Sequence, residues 1–116
     1  MADYTDALPK APKHLRAATR KWFARVIEEY ALEPHHTRLL TRAAEAWDRG
    51  EQAREAIALH GLVYTDRFGA PRARPEVAVE RDCRIGFARL LRELDLDCGA
   101  PGQSVRPPAL QSNRRA

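Results

Sequence analysis

Two cysteines in 116 residues leave little room for a disulfide framework. Cys83 falls inside a helical pattern and Cys98 in a Gly/Pro-rich stretch, so the thiols suit a reducing compartment better than a stapled secreted domain. Glycine is equally sparse, at six residues, and nowhere forms the GxxxxGK[ST] loop that cradles nucleotide phosphates. Metal-ligand spacing is missing too. There is no CxxC or HxxxH pair, and His35 and His36, being adjacent, cannot face one site on a regular helix, so His14, His35, His36 and His60 with the cysteines do not make a zinc site. Carboxylates are not grouped for two-metal chemistry, since Glu80 and Asp82 are interleaved with Arg81. No stretch approaches the ~20 apolar residues of a spanning helix, and no apolar h-region opens the chain. These absences describe a cytoplasmic, non-enzymatic protein that needs no cofactor and no membrane.

The last absence is local. From Lys10 to Arg25 the chain holds Lys10, Lys13, Arg16, Arg20, Lys21 and Arg25 and not one acidic residue, within an overall balance of 20 Lys+Arg against 16 Asp+Glu. A helix spanning Lys13 to Tyr30 places Leu15, Thr19, Trp22, Phe23, Val26 and Tyr30 in one sector and five of the six cations opposite, with Ile27 outside the apolar stripe. Cations one and two turns apart can follow a phosphate backbone without reading sequence. The bland alternative is a solvated helix face.

Punctuation divides the rest. Pro34 suits the first turn of a second helix running to about His60, where a missing N–H costs nothing, and Gly61 suits its left-handed close. Leu39, Leu40, Ala43, Ala46, Trp47, Gly50, Ala53 and Ile57 share a face, with Arg42/Glu45, Glu45/Arg49 and Glu51/Arg54 at pairing distance outside it. Gly50 in mid-helix implies a bend or a close crossing. Leu62–Thr65 favours extended backbone, Asp66–Gly69 has turn chemistry, and Pro71 and Pro75 forbid a long second strand, so a small hairpin or extended loop follows. Pro75 then opens a third helix with Glu76 at its positive end. Its main stripe is Val79, Cys83, Gly86, Phe87, Leu90 and Leu94, while Ala78, Ile85, Ala88 and Leu91 form a second apolar face. Both tryptophans fall in apolar sectors and are expected in the core, each against the other's helix. Arg67, Arg72 and Arg74 flank the turn as a second basic cluster that keeps the loop soluble or approaches DNA or a partner subunit.

The expected architecture is thus mainly all-α, three main helices with a short β-hairpin between the second and third. Residues 1–12 form an arm, 13–97 a helical core and oligomerisation domain, and 98–116 a flexible tail. A core of this size is marginal alone and gains by oligomerising.

Trp22 in the first helix, Gly61 before the turn, Pro75 opening the third helix and the Leu94-Asp95-Leu96-Asp97 close together resemble the P27-type small terminase subunit of tailed phages. The resemblance implies a helical protein that assembles into a homo-oligomeric ring, recognises double-stranded viral DNA for packaging and regulates the large terminase subunit in the bacterial host cytoplasm. The chain departs from the family after Asp97, with Asp-Cys-Gly-Ala-Pro where a Gly-Leu-Thr-Pro-like stretch is usual. A tail of this composition could contact the large subunit by folding on binding. Two other readings stand beside it: a small helical transcriptional regulator or antitoxin-like dimer, which would bind two half-sites, and a protein-interaction adaptor whose basic face is incidental.

Overall fold

A computed structural model of the chain describes residues 8–96. The expected tail at 98–116, Cys98 and the first part of the arm lie outside the described residues. Three helices are present, α1 (Ala17–Glu29), α2 (Pro34–His60) and α3 (Pro75–Glu93), with an antiparallel hairpin of β1 (Val63–Thr65) and β2 (Pro71–Ala73) between the last two. Its register is Val63↔Ala73, Tyr64↔Arg72 and Thr65↔Pro71. The mainly helical class and the place of the hairpin agree with the sequence reading.

The first helix starts later than its periodicity implies. Pro12 and Leu15 close a turn through a 3.4 Å backbone bond, and Arg16 stays extended at φ −63°, ψ 154° as the residue before α1. Lys10, Lys13 and Arg16 therefore precede the helix, and only Arg20, Lys21 and Arg25 lie on it. At the start of α2, Pro34 occupies the first turn as expected, and the Glu33 amide donates to His36 Nδ1 at 3.1 Å, giving one otherwise orphaned donor a partner. Gly61 ends α2 at φ 86°, ψ −178°, positive as anticipated but extended rather than left-handed helical, a region essentially restricted to glycine.

The third helix closes before Asp97. Leu96 N donates to Leu91 O and Asp95 N to Arg92 O, both at 3.0 Å, with Asp95 at φ 62°. This paired arrangement is a Schellman close in which an aspartate takes the place usually held by glycine. It turns Leu96 onto the core beside buried Leu94. The Leu-Asp-Leu run is thus a helix stop, with both leucines on the apolar side and the aspartate at the reversal.

The core lies at one end of the molecule. Leu15, Phe23, Val26 and Ile27 meet Leu40 and Ala44 of α2 and Leu94 after α3, with Leu8, Ala11, Trp22, Leu32, Leu39 and Leu96 packed around them. Ile27 is buried despite falling outside the α1 stripe, because Leu8 and Pro9 of the preceding segment fold over it. Ala44 and Asp48 of α2 are buried as well as the expected Leu40, Ala43 and Ala53, since α2 packs against α1 and against α3 and so needs more than one covered face. At Gly50 a Cβ would come within 3.3 Å of Cys83 Cβ, so this glycine marks a close crossing of α2 and α3.

Towards the hairpin the packing thins. No residue of α3 is fully buried, and every residue of both strands is exposed. Val79, expected in the main α3 stripe, is exposed, because α1 does not extend to this end to cover it.

Candidate nucleic-acid interface

The basic segment is built on a carboxylate that sequence reasoning missed. Asp48, from α2, is buried at 7% exposure; it accepts the Arg16 backbone N–H at 2.8 Å and the Thr19 hydroxyl at 2.5 Å. No side chain of α1's own N-terminal residue caps this helix. By taking the N-cap amide, Asp48 does from another helix what the N3 side chain of a capping box does locally, and it sits at the positive end of the α1 dipole. The available signal was the pair of polar residues, Thr19 and Asp48, set among apolar positions on helices that must pack.

The six cations divide into two kinds. Arg16 makes a bidentate pair with Glu55, at 2.6 and 3.2 Å, and this hydrogen bond holds the Glu55 carboxyl below its ordinary range and raises the guanidinium further. Its charge is committed within the molecule. Lys10, Lys13, Arg20, Lys21 and Arg25 are exposed, and none forms an ion pair among the described residues. Lys21 and Arg25, one turn apart, share a face of α1 at about 6 Å along its axis, close to two phosphate steps on one DNA strand, while Arg20 points to another side. His14, in the same segment, is tied to Glu45 at 2.9 Å, and Glu45 also takes Arg42 at 3.0 Å, so it does not serve Arg49 as its spacing suggested.

The second basic cluster is paired within the chain, although Arg74 Nε and Glu76 Oε2 are buried without a hydrogen bond. Arg72 pairs with Asp66 at 3.1 Å and Arg74 with Glu76 at 3.5 Å, while the Arg67 guanidinium lies over the Phe68 ring, 4.9 Å from its centre. Asp66 organises the turn. Its carboxylate accepts the amides of Ala70 and Phe68, each at 2.9 Å, and Arg72 Nε, and these bonds, the Ala70 amide first, hold it below the usual carboxylate range.

Trp22 packs at the edge of the core as its sector implied, while Trp47 does not lie where its sector put it. Trp22 is half-buried and Trp47 is 47% exposed, and both meet Phe87 of α3, at ring-centre distances of 5.8 and 5.1 Å. With Ala18 and Thr19 they line an open cleft of about 340 Å³ on the side of α1. Each ring is tilted by about half a right angle to Phe87, so the faces stay available instead of stacking closed.

Among the described residues no three His, Cys, Asp or Glu side chains converge as a metal site, and no helix is long and apolar enough to cross a membrane. No match was found among curated proteins or among solved structures. A family model described as the phage terminase small subunit matches residues 18–104, three quarters of the chain and all three helices. The helical hairpin with its β-turn, the basic first helix and that match agree, and the chain belongs to the phage terminase small subunit family, with a role in phage DNA packaging.

Proposed function

We propose that the protein recognises double-stranded viral DNA for packaging and regulates the large terminase subunit, as a homo-oligomeric ring without catalytic activity of its own, in the cytoplasm of the bacterial host. The observation that carries the DNA part is the contrast between Arg16, whose charge is used internally, and Lys10, Lys13, Arg20, Lys21 and Arg25, which are exposed and unpaired among the described residues. A stretch of chain with no acidic residue of its own, whose five exposed cations have no internal partner among the described residues, is suited to phosphate and offers no donor pattern for a particular base. The body at 13–97 serves as the oligomerisation domain, and the segment 98–116 as a contact for the large subunit.

The test is the salt dependence of binding to a DNA duplex, with wild type compared to Arg20→Glu/Lys21→Glu. Each phosphate contact contributes about 0.9 to the slope of log affinity against log salt. The double variant should bind more weakly, with a slope shallower by about 2. Arg16 is unsuited to this test, since reversing it would also disrupt the Glu55 pair. Equal affinity and slope in the two proteins would overturn the assignment of this face. Light scattering of the purified chain tests the assembly part, and a discrete multi-subunit mass is expected.

A further inference from the structure

We propose that the hairpin tip of one copy, Arg67 and Phe68, seats in the Trp22–Trp47–Phe87 cleft of the next, so that the chain assembles head to tail. The inference rests on the reading of the protein as a homo-oligomer and names the surfaces that would join.

The hairpin has the properties of a protruding key. A two-stranded hairpin is marginal in water without something packed on it, yet here both strands are exposed and Leu62, Val63, Tyr64 and Phe68 face solvent, Phe68 at 79%. The tip is nevertheless rigid in its bonding: Asp66 holds the Phe68 and Ala70 amides and the Arg72 guanidinium, and Gly69 N donates back to Asp66 O at 3.0 Å. The Arg67 guanidinium lies over the Phe68 ring, so the tip presents a cation and a ring side by side. A preorganised aromatic residue loses little freedom on docking.

The cleft has the complementary chemistry. Three aromatic side chains with open faces accept a phenyl ring by tilted packing and a guanidinium over a π face. The Thr19 hydroxyl on its wall is already donated to Asp48, which leaves that side without an unsatisfied donor. Next to it a smaller depression shares Trp47 and Phe87 and is lined by Glu51 and Glu80 together with Arg54 and Arg84. Their ion pairs with Arg54 and Arg84 measure 3.6 and 3.8 Å, longer than hydrogen bonds, so both carboxylates retain capacity for an incoming cation.

The two surfaces cannot meet within one copy. Trp47 lies about 20 Å of helix before His60, and the hairpin continues from the far end of α2. Surfaces at different places on the same chain make a heterologous contact, which closes to a ring when its rotation allows. A two-fold dimer would instead join like to like.

The experiment measures the mass of the full chain in solution for wild type, for Phe68→Asp, which removes the key, and for Trp47→Lys, which sets a cation against Arg67. Phe68→Ser and Trp47→Ala provide a milder second pair, and circular dichroism reports whether each variant folds. The expected result is a multi-subunit wild type, monomers for each variant alone, and a two-copy species and nothing larger when the two variants are mixed, because one intact key then meets one intact cleft. Folded variants of both pairs that assemble like wild type would overturn this contact and leave the oligomer reading standing. The contact would also be overturned by variants that stay monomeric on mixing although folded, or that keep the oligomer and lose only the large subunit. A wild type that stays monomeric at all concentrations would refute the oligomer reading itself.

Discussion

The two ends of the molecule are made from the same pair of antiparallel helices, and they differ in whether a third element covers them. At one end α1, the segment before it and the Schellman close of α3 enclose Phe23 and Leu40 almost completely. At the other, α2 and α3 run on without cover into the hairpin, and Leu59, Leu62, Val63, Phe68 and Val79 are left in solvent. The difference is one of partners: the first end finds them within the chain, and a protein that keeps such a patch on its second end commonly uses it for association.

Substitution of matched aromatic residues should separate the ends most widely. Phe23→Ala is expected to cost about 3–5 kcal/mol of stability, whereas Phe68→Ala should stay within about 0.5 kcal/mol in the monomer, as for an exposed site. Denaturant unfolding at low protein concentration measures both, and comparable losses would mean that the hairpin belongs to the folded core after all. Next comes Asp48→Ala, which leaves the Arg16 amide and Thr19 hydroxyl without their acceptor and should cost about 2–3 kcal/mol. A loss no greater than that of an exposed Asp82→Ala control would show that α1 holds its place without this carboxylate.

The smallest effect sharpens the comparison at the hairpin end. Asp66 is held below its ordinary range when folded, so its unfolded form binds a proton more readily. Its contribution to the turn is present above the unfolded carboxylate pKa and is lost as pH falls through the lower folded value. Amide exchange at Phe68 and Ala70 should therefore lose protection in acid before the Phe23 amide does. Loss at all three together would tie the turn to global unfolding.

Where the chain announces its own punctuation, structure followed sequence closely. Pro34, Gly61 and Pro75 act on the backbone through their own covalent geometry, and they stand at the element boundaries where their chemistry put them. The hairpin was legible for the same reason. The start of α1 was not, because it is fixed by Asp48, 32 residues from Arg16, and periodicity carries no information about such a contact. Ile27 and Trp47 were misplaced in opposite directions on the same ground: a helical wheel shows which residues share a face, while burial depends on what arrives to cover it. For the candidate interface the acid-free run was legible, but the withdrawal of Arg16 into a pair with Glu55 needed the tertiary structure.

The Schellman close at Asp95 bears on the order in which the chain acquires its fold. It delivers Leu94 and Leu96 to a cluster that also contains Leu15, so the last residues described complete a nucleus begun by nearly the first. The two packings close loops of similar length, 33 residues at Gly50–Cys83 and 29 at Thr19–Asp48, but α2 and α3 share much the larger contact, so their pairing gains more for the same closure entropy. We therefore expect α2 and α3 to pair in the folding transition state and α1 to dock after it, with small φ-values at Phe23 and larger ones along the Gly50–Cys83 crossing. During that interval the Trp47 and Phe87 rings lack their neighbour Trp22, and the cleft proposed to receive the hairpin tip comes into being only at the final step of folding.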